Sequence, residues 1–116
     1  MTIQINSDRA VSQNEKMEGF FKTLIADSLK LYGEHITRIE VHFSDENGHK
    51  EGLKDKRCMI EARLEGKQPT AVTAQANTIE EALSSAIEKI AALLKTEIGR
   101  MKNHHKPQQY SNLNDL

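Results

Sequence analysis

An α+β domain in the order β-α-β-β-β-α is the fold class this sequence predicts, and three observations predict it. Apolar and polar residues alternate in four short stretches, the period of a half-buried strand. In two longer stretches apolar residues recur at helical spacing. With three Phe, two Tyr and no Trp, the core has to be built from aliphatic side chains and alanine, which suits helices packed on one face of a sheet.

The first strand is "TIQIN", where Ile3 and Ile5 alternate with polar residues before the turn-prone "NSD". "SQNEKMEGFFKTLIADSLKLYG" follows as the first helix. Its spacing puts Met17, Phe20, Phe21, Leu24, Ser28 and Leu31 along one side, with Ile25, Leu29 and Tyr32 beside them, and Gly33 as the stop signal. From Ile36 the period becomes two. Ile39, Val41 and Phe43 share one face of the second strand, and Arg38, Glu40 and His42 the other. Cys58, Ile60, Ala62 and Leu64 give the third strand the same pattern, "GKQP" turns the chain, and "TAVTAQA" reads as the fourth strand.

Thr78 with Glu81 three residues later matches a capping box, so the second helix begins there. Its stripe of Ile79, Leu83, Ala86, Ile87, Ile90, Leu94, Ile98 and Met101 runs to about Lys102. That is about 24 residues, or roughly 36 Å of helix. Beyond it "NHHKPQQYSNLNDL" has no periodicity and includes Pro107, which reads as a flexible tail over 104–116 after a domain over 1–103. The strand order implies a parallel crossover from strand one to strand two and an antiparallel meander thereafter. The result is a single four-stranded mixed sheet with two helices on one face, its charged face left to water.

Composition excludes several function classes. The chain has 116 residues, enough for one core and not two. Its one cysteine, Cys58, leaves no intrachain disulfide and too few thiols for a structural zinc site. No long apolar run resembles a signal peptide or a membrane span, so a soluble, cytoplasmic protein without a membrane partner is expected. The net charge of −1 gives no overall basic excess, so any nucleic-acid surface must come from uneven distribution.

The hairpin "HFSDENGHKEGLKDKRCMIEARLEG" is crowded with charge. One register pairs Arg38 with Glu65, Glu40 with Arg63 and His42 with Glu61, while Phe43 meets Ile60 and Ile39 meets Leu64. Every charged pair is then complementary, whereas the register that sets Arg38 against Arg63 and Glu40 against Glu61 opposes like charges. The complementary register is the expected one. Between the strands, the Asp45–Lys56 loop lacks the spaced acidic ligands and closing Glu of a calcium loop, so no metal is assigned to it and its role stays open.

The run "ITRIEVHFSDENGHKEGLKDKRCMIEARLEGKQPTAVTAQANTIEEAL" resembles the ribosome hibernation promoting factor and ribosome-associated inhibitor family, in a short-chain form. The likeness covers residues 2–105 and rests on the order of elements with "SDENG", "DKRC" and "EARLEG" at these separations. It implies a fold like that of double-stranded-RNA-binding domains. It also implies a bacterial, stress- and stationary-phase-linked regulator that binds the small ribosomal subunit and its rRNA where messenger and transfer RNA would lie. Phosphate contacts from basic residues on the helices would block translation by occupancy, in keeping with RNA recognition through backbone and shape. No cofactor, small-molecule substrate or dimerisation domain is implied.

Charge distribution points to the same helices. Lys89 and Arg100 lie nearly on one line of the second helix, and Lys95 and Lys102 on another. Past residue 94 the chain carries Lys95, Arg100, Lys102, His104, His105 and Lys106 against Glu97 alone. Cations at a helix C-terminus and Glu80 and Glu81 at its N-terminus also complement the macrodipole, so part of this pattern is structural. With the resemblance, the expected phosphate-binding set is Lys22, Lys30, Lys89, Lys95, Arg100 and Lys102. Against the family pattern, Ser28 and Ala92 stand where basic residues are common, and Glu80 near an aromatic position, which removes phosphate contacts. An enzyme is not expected: Cys58 points inward by alternation, and the five histidines are scattered. The alternative function is a non-catalytic interaction module that uses the open sheet face or the charged hairpin.

Overall fold

The computed structural model describes residues 1–8, 15–45 and 55–105, the side chains of 103–105 excepted. Its elements are β1 (Thr2–Ser7), α1 (Glu15–Ser28), a 3₁₀ segment (Lys30–His35), β2 (Ile36–Asp45), β3 (Lys56–Leu64), β4 (Thr70–Ala76) and α2 (Ile79–His105). The sheet order is β1-β2-β3-β4. β1 runs parallel to β2, and β2, β3 and β4 form the antiparallel meander. Ile39, Val41 and Phe43 of β2, Cys58, Ile60, Ala62 and Leu64 of β3, and Ala74 of β4 join one buried cluster with residues of both helices. The alternate positions Arg38, Glu40, His42, Met59, Glu61 and Arg63 all stay in contact with solvent. Both helices therefore cover one face of a mixed sheet, the architecture that the alternation predicts.

Phe21 and Ile25 of α1, and Leu29 just past its end, are buried at intervals of four, and the ring of Phe21 meets that of Phe43 at 5.6 Å between centroids. The wider stripe read from spacing is corrected at three positions: Phe20 is 63% exposed, Leu31 83% exposed, and Ser28 is exposed as well. Phe20 lies about 100° around the helix from Phe21, on the flank. Leu31 leaves the stripe because α1 ends at Ser28 and the chain rewinds as 3₁₀ helix. The N–H of Tyr32 donates to the Leu29 carbonyl at 2.9 Å, and the tighter winding carries through Gly33 to His35.

The hairpin register is the second correction. β2 and β3 pair Arg38 with Arg63, Ile39 with Ala62, Glu40 with Glu61, Val41 with Ile60, His42 with Met59 and Phe43 with Cys58. This is the register that cross-strand charge disfavours. Three features outweigh it. Ile36 and Ile39, three apart, are both buried, which a regular strand cannot achieve. An irregularity between Ile36 and Arg38 resolves this, with the Thr37 hydroxyl donating to the Arg63 carbonyl at 3.2 Å. Second, large core residues fall opposite small ones, Ile39 on Ala62 and Phe43 on Cys58. Third, the register brings Asp45 to Lys56, 3.0 Å apart, with Asp55 3.3 Å away on the other side. Both aspartate side chains are nearly buried, at 6% and 5% exposure, whereas a solvated cross-strand pair contributes only about 0.2–1 kcal/mol. The exposed charges settle along the strand instead: the Arg38 guanidinium donates to Glu40 at 2.8 Å and also to Gln4. That hydrogen bond, reinforced by the charges of Arg38 and Arg63, holds the Glu40 carboxyl below its usual range.

After β3 the chain turns through Gly66, at φ 76°, a left-handed conformation that suits glycine. The Thr78 hydroxyl accepts the Glu81 N–H at 3.1 Å, the forward half of the predicted capping box. α2 buries Ala82, Leu83, Ala86, Ile87, Ile90, Leu94 and Ile98 and continues to His105, past the expected end near Lys102. The Asp45–Lys56 loop over 46–54 and the tail beyond His105 lie outside the described residues.

Candidate nucleic-acid interface

The structure places the six expected phosphate-binding residues on the exposed sides of the helical layer, in differing circumstances. Lys22, in the middle of α1, is held by Glu18 one turn back, 3.4 Å away. Lys30 opens the 3₁₀ segment and is exposed. On α2 the Lys89 ammonium donates to the Thr73 carbonyl of β4 at 2.8 Å, so its stem lies across the sheet edge. Arg100 meets Glu97 at 3.4 Å. Lys95 and Lys102 are exposed and bond no described residue.

Helix geometry divides the α2 cations into two pairs. Lys89 and Arg100 lie about 20° apart in projection, as do Lys95 and Lys102, but the pairs are separated by roughly 120–160° around the axis. They occupy opposite shoulders of the outer face. Between them Ala92, where the resemblance expects an arginine, is exposed and adds no charge, and the exposed Glu88 stands on the same arc one turn nearer the N-terminus. Ser28 is likewise exposed at the end of α1.

One cation was missed by sequence reasoning. Lys67, in the "GKQP" turn after β3, reaches α2 and pairs with Glu97 at 3.1 Å. Turn chemistry marks the position as a loop, but which helix residue the lysine meets depends on how α2 packs across β3 and β4. No periodicity encodes that. The lysine thus joins Arg100 at the basic end of the helix.

Acidic and potentially reactive groups lie elsewhere. Gln75, Asn77, Glu80, Glu81, Ser84 and Ser85 line a depression of about 590 Å³ at the N-terminal end of α2. On the open sheet face the His42 imidazole bonds Asp8 at 2.8 Å. Cys58 is fully buried, and desolvation pushes its thiol up to about 12. Among the described residues no three His, Cys, Asp or Glu side chains are grouped to hold a metal ion, and no helix is long and apolar enough to cross a membrane.

The model of the Sigma 54 modulation protein / S30EA ribosomal protein family matches residues 3–102. No curated protein matches the chain in sequence. Among solved structures, the chain is similar to a ribosomal subunit interface protein from Coxiella burnetii, with a TM-score of 0.71 at 15% identity over 85% of this chain and 99% of that one. It is also similar to the N-terminal domain of Protein Y from Thermus thermophilus, with a TM-score of 0.65 at 16% identity over 83% of this chain and 98% of that one. At these identities the two structures share the fold.

Proposed function

The chain belongs to the Sigma 54 modulation protein / S30EA ribosomal protein family, and from that premise we propose that it is a ribosome-binding, non-catalytic hibernation factor of the cytoplasm. It occupies the messenger and transfer RNA path of the small subunit and holds ribosomes idle by occupancy. Lys22, Lys30, Lys89, Lys95, Arg100 and Lys102 contact rRNA phosphates. The single observation that carries this reading is the family match over 3–102. The solvent-facing cations of α1, the 3₁₀ segment and α2 supply the chemistry such binding needs, and the fold shared with a ribosomal subunit interface protein is consistent with it.

Counterion release makes the reading measurable. Each phosphate contact contributes about −0.7 to −0.9 to the slope of log affinity against log salt, so four engaged cations give a slope near −3. Co-sedimentation with purified small subunits across a salt series should show binding at low salt that weakens with this slope. Undetectable binding at low salt overturns the proposal. Strong binding indifferent to salt favours the interaction-module alternative, through the open sheet face or the hairpin.

A further inference from the structure

Two cations from distant parts of the chain converge on one carboxylate. Lys67 Nζ lies 3.1 Å from Glu97 Oε1, and Arg100 Nη1 lies 3.4 Å from Glu97 Oε2. The Glu97 side chain is only 22% exposed, while Arg100 stays 71% exposed. Lys67 reaches this point from a fixed backbone, because it follows left-handed Gly66 and its N–H donates to the Leu64 carbonyl at 3.1 Å. The turn fixes the point from which the side chain carries the ammonium to α2.

A carboxylate with one cation on each oxygen occupies the place of a phosphodiester, which also carries one negative charge and offers two anionic oxygens to Lys and Arg. The cluster keeps one surplus positive charge, and Lys95 and Lys102, on the same helix end, bond no described residue. We infer that Lys67 and Arg100 form a phosphate subsite in which Glu97 is the resident stand-in, displaced when an RNA phosphate binds. The inference rests on the rRNA-binding reading above and adds to it one contact, Lys67, and one intramolecular competitor, Glu97. Displacement is feasible because partly exposed ion pairs are weak and the freed carboxylate can rotate into water. A single weakly held anion gains little by the exchange. A backbone that also engages the neighbouring lysines gains enough, so Glu97 selects for extended phosphate arrays.

The test compares Glu97→Gln, Lys67→Ala, the double variant and Glu61→Gln for binding to small subunits across a salt series, with thermal melts alongside. Glu61 lies on the open sheet face, so its substitution makes the same charge change away from the subsite. Glu97→Gln should tighten binding roughly three- to tenfold, the scale of releasing two exposed ion pairs, and Glu61→Gln less than twofold. Lys67→Ala should weaken binding and flatten the slope by about 0.7–0.9, one contact. In the double variant most of the gain should vanish. The inference is overturned if Glu97→Gln binds no tighter than Glu61→Gln, or lowers the melting temperature without changing binding, or if Lys67→Ala keeps the wild-type slope. Lys89→Ala and Lys102→Ala separate the two readings. If they weaken binding while the Lys67 and Glu97 variants do not, only the subsite fails, and if wild type does not bind subunits at low salt, both fail.

Discussion

The thiol of Cys58 sits on the inner face of β3 with no exposed surface, opposite Phe43, and desolvation pushes its pKa up to about 12 from the ordinary 9.0. Sequence alternation places it there without ambiguity, since Ile60, Ala62 and Leu64 share its parity. A buried thiol is a poor nucleophile, so labelling by a thiol probe in the native state should be slow and track global unfolding. Fast labelling at neutral pH defeats this assignment. The shift also has a sign. The folded pKa lies above the unfolded one, so the stabilising contribution is complete below about pH 9 and is lost as pH rises towards 12. Over that window the slope attributable to this group is roughly −1.4 kcal/mol per pH unit. Comparing wild type with Cys58→Ala isolates it: the stability difference should narrow with rising pH above about 9, and a constant difference refutes the assignment. By contrast, Phe20 and Leu31 show where single residues escape pattern reading. Their polarity predicts burial, but Phe20 falls on the flank of α1, and Leu31 leaves the stripe because α1 ends at Ser28 and the chain rewinds as 3₁₀ helix.

Elements were legible where the code is local. The Thr78 cap, the α2 stripe and the alternation of β2 and β3 all rest on spacing within one segment, and each appears at the expected positions. The β2–β3 register was not, because it is decided between segments. Surface charge complementarity favoured one pairing, while the buried Ile36 and Ile39, the large-on-small packing of Ile39 on Ala62, and the clasp of Lys56 by Asp45 and Asp55 favoured another. Burial outweighs solvated charge, so a register read from exposed residues alone errs. The cap permits a direct measurement. Thr78→Ala removes the acceptor of the Glu81 N–H and should cost about 1 kcal/mol, within the 0.5–2 kcal/mol typical of such losses. Denaturant unfolding should show a lower midpoint with an unchanged m-value. An unaltered midpoint means that water or the helix dipole satisfies that end equally well.

Across the whole molecule, charge is segregated although the net value is −1: Glu80 and Glu81 mark one end of α2, and Lys95, Arg100 and Lys102 the other. Sequence spacing revealed that gradient and the two lines of cations. It could not reveal that Lys89 is tied to Thr73 on β4 or that Lys67 crosses to Glu97, since both contacts join residues from separate elements. The division into two shoulders has its own consequence for binding. A flat partner would meet one shoulder, but an rRNA cleft with phosphates on both walls would receive α2 between them. Replacing Lys89 and Arg100 by alanine, and separately Lys95 and Lys102, should each flatten the salt slope by about 1.4–1.8, two contacts' worth. The effects of the two pairs on log affinity should add, because the pairs share no partner. Stability gives an internal control: Lys95 and Lys102 bond no described residue, so their loss should change stability by no more than about 0.5 kcal/mol, while Lys89→Ala frees the Thr73 carbonyl and should lower the melting temperature slightly. If only one pair moves the slope, the contact surface is a single shoulder of α2, and the residues of the other serve solubility and the helix dipole instead.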